Sequence, residues 1–406
     1  MTSPAQAESP PDRVAVITDH GFWRPTKGSE QRIATLLDYL LQQGFPLSVL
    51  RTRPLPRSAD ARTLHSWRER VVLHAPTRGL RWWWSLRGPR RHRLSPVPAL
   101  QRESSAAGAA WVRHYLQREP PAAVIVEFLK LAYTLTGVPT AAEGGPRRIL
   151  DTHDPVHLRA QRYEAAGQRV PLALSREEEA RVLADFDALL AIQEEDARLF
   201  HALAPATTVL TVPHGLPVPQ HDPQPRSSGD GSLRAGFLGA GDVANETAVR
   251  WWAEQVDPAL DGRVTLVVAG AVCDRLTDLA SLPGIELRGR VPTPSSLWQE
   301  VDLAVNPVFF GTGLKIKNVE ALSAGLPLVT TQVGLEGMRE AEGAGAVRAD
   351  TPGEWSTALL ALAAQPAERL ARGRQGREWA RTRFSPEAAF APLLQFLRSP
   401  PPNRTT

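Results

Sequence analysis

GTGLKIKNVEALSAGLP, residues 311–327, decides how this chain is read. It holds Lys315 and Lys317, and the 406 residues contain two other lysines, Lys27 and Lys130. Nearly all remaining positive charge is arginine. The stretch follows an apolar run, DLAVNPV (302–308), and opens a helix expected over about 315–324. Gly311 and Gly313 allow a ligand to approach the backbone closely. Free N–H groups at a helix start bind anions. Ammonium groups suit phosphate oxygens approached from several angles. Glycines alone fit an ordinary strand–helix turn. Two lysines oppose the helix dipole, however, and ask for a ligand. Glu320, one turn on, suits two neighbouring hydroxyls, as on a ribose. The pieces form a diphosphate and ribose cradle.

Outward from this stretch, short apolar runs alternate with helical periodicity. RVAVIT (13–18) reads as a strand buried on both faces. A helix follows from about Ser29, with Ile33, Leu36, Leu37, Leu40 and Leu41 on one face. Gly44 stops it and PLSVL (46–50) is the next strand. Further strands are expected at 122–128, 147–152, 188–192 and 208–212. Residues 52–120 yield only fragments of helix. PVPQHDPQPRSSGDGS (217–232) is aperiodic and rich in proline, glycine and serine, so it reads as a linker. The pattern then restarts with strands at 233–239, 263–270, 284–289, 302–308 and 326–331, and a helix in TAVRWWAEQVDPAL. Residues 353–398 are mostly helical in pattern. The fold class is α/β with two parallel-sheet halves.

Bulk composition narrows the function. A net charge of +4, from 47 bases against 43 acids, lacks the one-sided stripe of a nucleic-acid protein. A single cysteine, Cys273, excludes an internal disulfide and a cysteine metal cluster. The opening MTSPAQAESPPDR has no apolar core of the kind an export signal needs, and no run approaches a membrane span. The expectation is a cytoplasmic protein, peripheral at most on the inner membrane face. Thirty-six prolines and the arginine bias suit a GC-rich bacterial genome.

NPVFFGTGLKIKNVEALSAGLPLVTTQVGLEGM (306–338) resembles the donor-binding segment of family 4 glycosyltransferases of the GT-B fold, in the branch written G-x-G-x-K-x-K-x-x-E-A. FLGAGDVANETAVRWW, GRVPTPSSLWQEVDLAVNP, DTHDP, ADFDALLAIQEED and VPHGLP match further landmarks in order. The resemblance spans about 13–385 and is weakest over 52–120. It implies two Rossmann-like domains facing a cleft, with C-terminal helices packing back towards the first. The expected organisation is a disordered 1–12, an acceptor-side domain 13–216, the linker, a donor domain 233–375, a crossing helix 376–398 and a disordered 399–406.

Carried over by position, the resemblance gives Glu320 to the ribose, and Lys315, Gly313 and Leu314 to the diphosphate and sugar. Gly239 and Gly241 approach the phosphates from the other side. Arg290 and Val291 lie near the base. Gly28, with Lys27 beside it, adjoins the diphosphate, and His153 faces the transferred sugar. Three positions depart from the pattern. Thr312 stands where many members have a glutamate, and its hydroxyl is a sugar contact. FLGAGDVANE lacks the arginine and lysine other branches bring to the phosphates, so Lys315 and Lys317 take that work. His214 replaces the usual Asn of the interdomain turn.

The implied reaction is retaining transfer of a hexose-type sugar from a UDP- or GDP-sugar. Lysines and helix N–H groups stabilise the leaving diphosphate, so no metal and no cofactor is expected. His153 and Lys315 are the expected catalytic residues. A sugar-nucleotide epimerase of similar architecture and a non-catalytic nucleotide-sugar-binding module stay open as alternatives. The acceptor is expected on the first domain: glycan, lipid-linked, peptide or small molecule. RWWWSLRGPRRHR (81–93) fits an anionic membrane surface, an acceptor contact or an arginine-coated helix.

Overall fold

A computed structural model describes residues 12–23, 25, 28–55, 61–76, 94–170, 172–218 and 233–400. Most of the expected linker, most of the expected disordered ends, Lys27 and 81–93 lie outside the described residues; Ser399, expected in the disordered tail, caps the last helix and accepts from Arg147 at 3.1 Å.

Two parallel sheets carry the fold. The first orders its strands β3-β2-β1-β4-β5-β6-β7. These are Val14–Thr18 (β1), Leu47–Arg51 (β2), Val72–His74 (β3), Ala123–Glu127 (β4), Arg147–Asp151 (β5), Ala188–Ala191 (β6) and Thr208–Thr211 (β7). The second runs β10-β9-β8-β11-β12-β13. Its strands are Leu233–Leu238 (β8), Val264–Ala269 (β9), Ile285–Gly289 (β10), Leu303–Asn306 (β11), Leu328–Thr330 (β12) and Ala346–Arg348 (β13). Every recorded pairing is parallel.

Alternation along β1 shows why these runs are continuously apolar. Ala15 and Ile17 join one core, and Val14 and Val16 the core on the opposite face. The second sheet is sandwiched likewise. In both sheets the strand order reverses at the first strand, between β1 and β4 and between β8 and β11. Crevices open at the carboxyl ends of strands there, and that is where such sheets take ligands.

Several expectations shift. Residues 52–120 contain β3 and the helices Ala61–Arg68, Pro98–Glu103 and Ala106–Arg118. The helix placed in TAVRWWAEQVDPAL begins earlier, at Val243, because Asp242 caps it by accepting from Asn245 N at 3.0 Å. A separate turn, Asp257–Leu260, follows it. The single helix expected over 376–398 is two, Pro366–Phe384 and Pro386–Arg398. Ser385 breaks them: its Oγ accepts from Ala388 N at 3.3 Å, and Pro386 starts the next helix. That last helix buries Phe390, Leu393 and Leu397 against Ile33, Leu37 and Leu40 of the first domain. Arg147 donates to the carbonyls of Phe396 and Leu397, both at 2.6 Å, and holds its C-terminal end.

Candidate functional site

A cavity of about 450 Å³ lies between the domains. Its second-domain wall is the loops after β8, β9, β10 and β11 together with the start of the helix Ile316–Ser323. Its first-domain wall is Pro25, Gly28, Gln31, Asp154, Arg159 and Tyr163.

The loop after β11 positions the lysines. Gly311 and Gly313 have φ of 122° and 75°, values open to glycine. The bend they make delivers Lys315 to the helix N-cap, where no side chain caps the first turn. Lys317 donates to Asn245 Oδ1 at 2.6 Å and sits 4.0 Å above the centre of the Phe237 ring. Burial brings its pKa down to about 7, with Asp242 opposing the shift. Lys315 donates to Gly313 O at 2.6 Å, and burial lowers its pKa against the pull of Glu336. Glu320 is buried and pushed up to about 7, with Gln31 of the first domain hydrogen-bonded to it.

Of the residues singled out from sequence, Gly28, Gly239, Gly241, Arg290, Val291, Thr312, Leu314, Lys315, Lys317 and Glu320 line this one cavity. Gly28 packs against Ile316 across the cleft; a Cβ on it would come within 2.5 Å of that side chain. Arg290 stands at the exposed rim and pairs with Asp274 at 2.8 Å. Gly313 lies behind the wall, against the His153 carbonyl and Asp154.

His153 does not line the cavity. Its ring is 8% exposed and stacks on Phe128 at 3.7 Å between centroids. Its Nε2 meets Glu127 Oε2 at 2.8 Å. Burial holds His153 down to about 4 and raises Glu127 well above the usual carboxylate range. Loss of water disfavours the charged form of each group, which accounts for the opposite directions of the two shifts. Both His153 and Phe128 have positive φ, 62° and 74°, which is strain stored at two adjacent strand ends.

Glu127, Asp151 and His153 bring potential metal-ligand atoms within 4.8 Å of one another. Arg32 already occupies Asp151, donating from Nε at 2.7 Å and Nη2 at 3.0 Å. The charge is satisfied internally, beneath the cavity rather than in it.

Sequence reading missed the first-domain wall: Gln31, Asp154, Arg159 and Tyr163. Asp154 accepts from Arg159 at 3.0 and 3.1 Å and from Thr312 Oγ1 at 3.0 Å. Tyr163 meets Phe310 edge-on at 5.7 Å. The motif DTHDP carried the one available signal, for Asp154.

Residues 233–365 match the family model described as Glycosyl transferases group 1. A search of curated protein sequences finds no match. Among solved structures, the chain is similar to TarM, with a TM-score of 0.71 at 9% identity over 96% of this chain and 99% of that one. Another structure of TarM, from S. aureus, holds fondaparinux, α-GlcNAc-glycerol and UDP. Sucrose-phosphate synthase from Thermosynechococcus elongatus gives a TM-score of 0.71 at 13% identity, covering 95% and 98%. Anabaena HepE in complex with UDP and glucose gives 0.64 at 11%, covering 96% and 100%. The chain therefore has the GT-B fold of two Rossmann-like domains, and its second domain is similar in sequence to the group 1 glycosyl transferases.

Proposed function

We propose that the chain is a glycosyltransferase that moves a hexose-type sugar from a nucleoside-diphosphate sugar to an acceptor hydroxyl, with retention of configuration and without a divalent metal. The observation that carries this reading is the interdomain cavity, in which Lys315, Lys317 and a helix N-terminus meet the carboxylate of Glu320. An anionic group and a vicinal diol on one ligand satisfy that arrangement. The group 1 match over the second domain supports it. TarM and HepE were each solved with UDP, which makes UDP-sugars the first donors to test.

In the reaction the bond from the sugar's anomeric carbon to the diphosphate breaks. A bond from that carbon to the acceptor oxygen forms on the same face. The acceptor's proton passes to the departing phosphate oxygen. Lys315, Lys317 and the N–H groups of the 316–323 helix stabilise the charge that grows on the diphosphate. Glu320 holds the ribose, and the backbone at Arg290 and Val291 meets the base. His153 supports the Asp154 loop against Gly313 beneath the transferred sugar.

An epimerase needs free acid and base groups. Of the lining carboxylates, Asp154 and Asp242 are committed to Arg159 and to Asn245, and Glu320 is hydrogen-bonded to Gln31, which favours transfer.

Thermal-shift measurements with UDP, GDP, ADP and their sugar conjugates, with and without EDTA, test the proposal. Stabilisation by one nucleotide, unchanged by EDTA, supports it. Proton NMR of the product then gives its anomeric configuration. No shift with any nucleotide, or a shift abolished by EDTA, overturns the donor site or its metal independence.

A further inference from the structure

We propose that Glu336 is a positioning residue that couples domain closure to the release of Lys315 for the donor; the proposal takes the task of Lys315 from the donor-binding reading above. Glu336 lies in the loop after β12. That loop is firmly built: Leu335 N donates to Thr331 O at 3.0 Å, Gly334 N donates to Thr331 Oγ1 at 3.0 Å, and Leu335 and Met338 are buried. Gly337, at φ 77°, presses on the first domain so closely that a Cβ would come within 2.2 Å of Gln193 Oε1. The loop therefore sits where the two domains meet.

Both carboxylate oxygens of Glu336 accept from Arg162 Nη1 of the first domain, at 2.7 and 2.8 Å. The same nitrogen donates to Gly311 O at 2.9 Å, so Arg162 also grips the glycine loop that carries Lys315. Lys315 Nζ stands farther from Glu336 Oε2, at 3.6 Å. The Glu336 and Lys315 side chains are 13% and 12% exposed, so their charges are little screened.

One carboxylate thus serves two cations, and the distances show which of them holds it when the domains meet. Lys315 and Glu336 belong to the same domain and stay together when the cleft opens. Arg162 belongs to the other domain and leaves. Without Arg162, the ammonium of Lys315 is the remaining partner of Glu336. When Arg162 returns it takes the carboxylate and frees Lys315 to meet phosphate.

Calorimetric titration of UDP into the wild type, Arg162→Gln, Glu336→Gln and the double variant tests this. Arg162→Gln is expected to weaken binding about tenfold, a usual size for coupled sites. Adding Glu336→Gln is expected to restore most of that loss, because the competing carboxylate is gone. A double variant no better than Arg162→Gln alone overturns the proposal. Amide hydrogen exchange on the nucleotide-free proteins supplies a readout that does not depend on the donor. Residues 311–317 are expected to exchange faster in both single variants. Unchanged exchange in both means the bridge is not made in solution and overturns the proposal too. A wild type that binds no nucleoside diphosphate refutes the donor reading instead, and the exchange data then decide on the bridge alone.

Discussion

Thr312 of the second domain donates its hydroxyl proton to Asp154 of the first, at 3.0 Å across the cleft. The contact joins the loop beneath the sugar subsite to the loop that carries the lysines. A hydrogen bond to a charged group contributes about 1.5 kcal/mol or more. Thr312→Ala is expected to lower kcat/KM about tenfold, with the circular dichroism spectrum unchanged. Initial-rate kinetics on the best donor and acceptor check it; unaltered kcat/KM shows that the working state does not use this contact.

On the proposed reading, Lys315→Ala removes a charge that meets the departing diphosphate. Loss of one such donor costs about 3–4 kcal/mol in the transition state, so kcat should fall about 10²- to 10³-fold. The circular dichroism spectrum should match the wild type, because Lys315 lines the cavity at the N-cap of a helix rather than lying within a helix or strand. Near-normal turnover in this variant would refute the placement.

Donor affinity should peak near pH 7. Lys317 is lowered to about 7 by burial, and a bound diphosphate favours its ammonium. Above pH 7 binding must take up a proton there, so affinity falls as pH rises. Glu320 is raised to about 7, and ribose hydroxyls favour its carboxylate. Below pH 7 binding must release that proton, so affinity falls as pH drops. Calorimetric Kd values from about pH 6 to pH 8 test the two limbs. Lys317→Met should flatten the alkaline limb and Glu320→Gln the acid limb.

Arg32 and Asp151 are wholly buried and paired through two hydrogen bonds. Arg32→Met leaves Asp151 as an uncompensated buried charge, at a cost of about 3–5 kcal/mol. Urea unfolding should show that loss, with Arg32→Met/Asp151→Asn recovering part of it. Equal stability of the single variant and the wild type would contradict the pairing.

Most strands were legible because a parallel sheet covered on both faces needs continuous apolar runs, as in Val14–Thr18. The edge strands β3 and β13 were not, since each is short and mostly unburied. Val72, at 50% exposed, gives β3 no buried pattern to read. The second-domain wall of the cavity was legible because Gly311, both of its lysines and Glu320 sit within one short stretch. Its first-domain partners were not: Thr312 and Asp154 are 158 positions apart, and Arg162 and Glu336 174. No local pattern encodes such pairs. The surroundings of His153 were hidden for the same reason, because Glu127 and Phe128 reach it from a different strand.

The chain passes between the domains twice, between Leu216 and Leu233 and again at Ser385. The first domain is thus assembled from both ends of the polypeptide. A chimera that exchanges donor specificity must be spliced at both passages, keeping Pro386–Arg398 with its original partner. A graft cut at the first passage alone would set a foreign helix on Ile33, Leu37 and Leu40 and uncouple the first domain from its own C-terminus. The second domain in this architecture is exchangeable as an insert rather than as a tail.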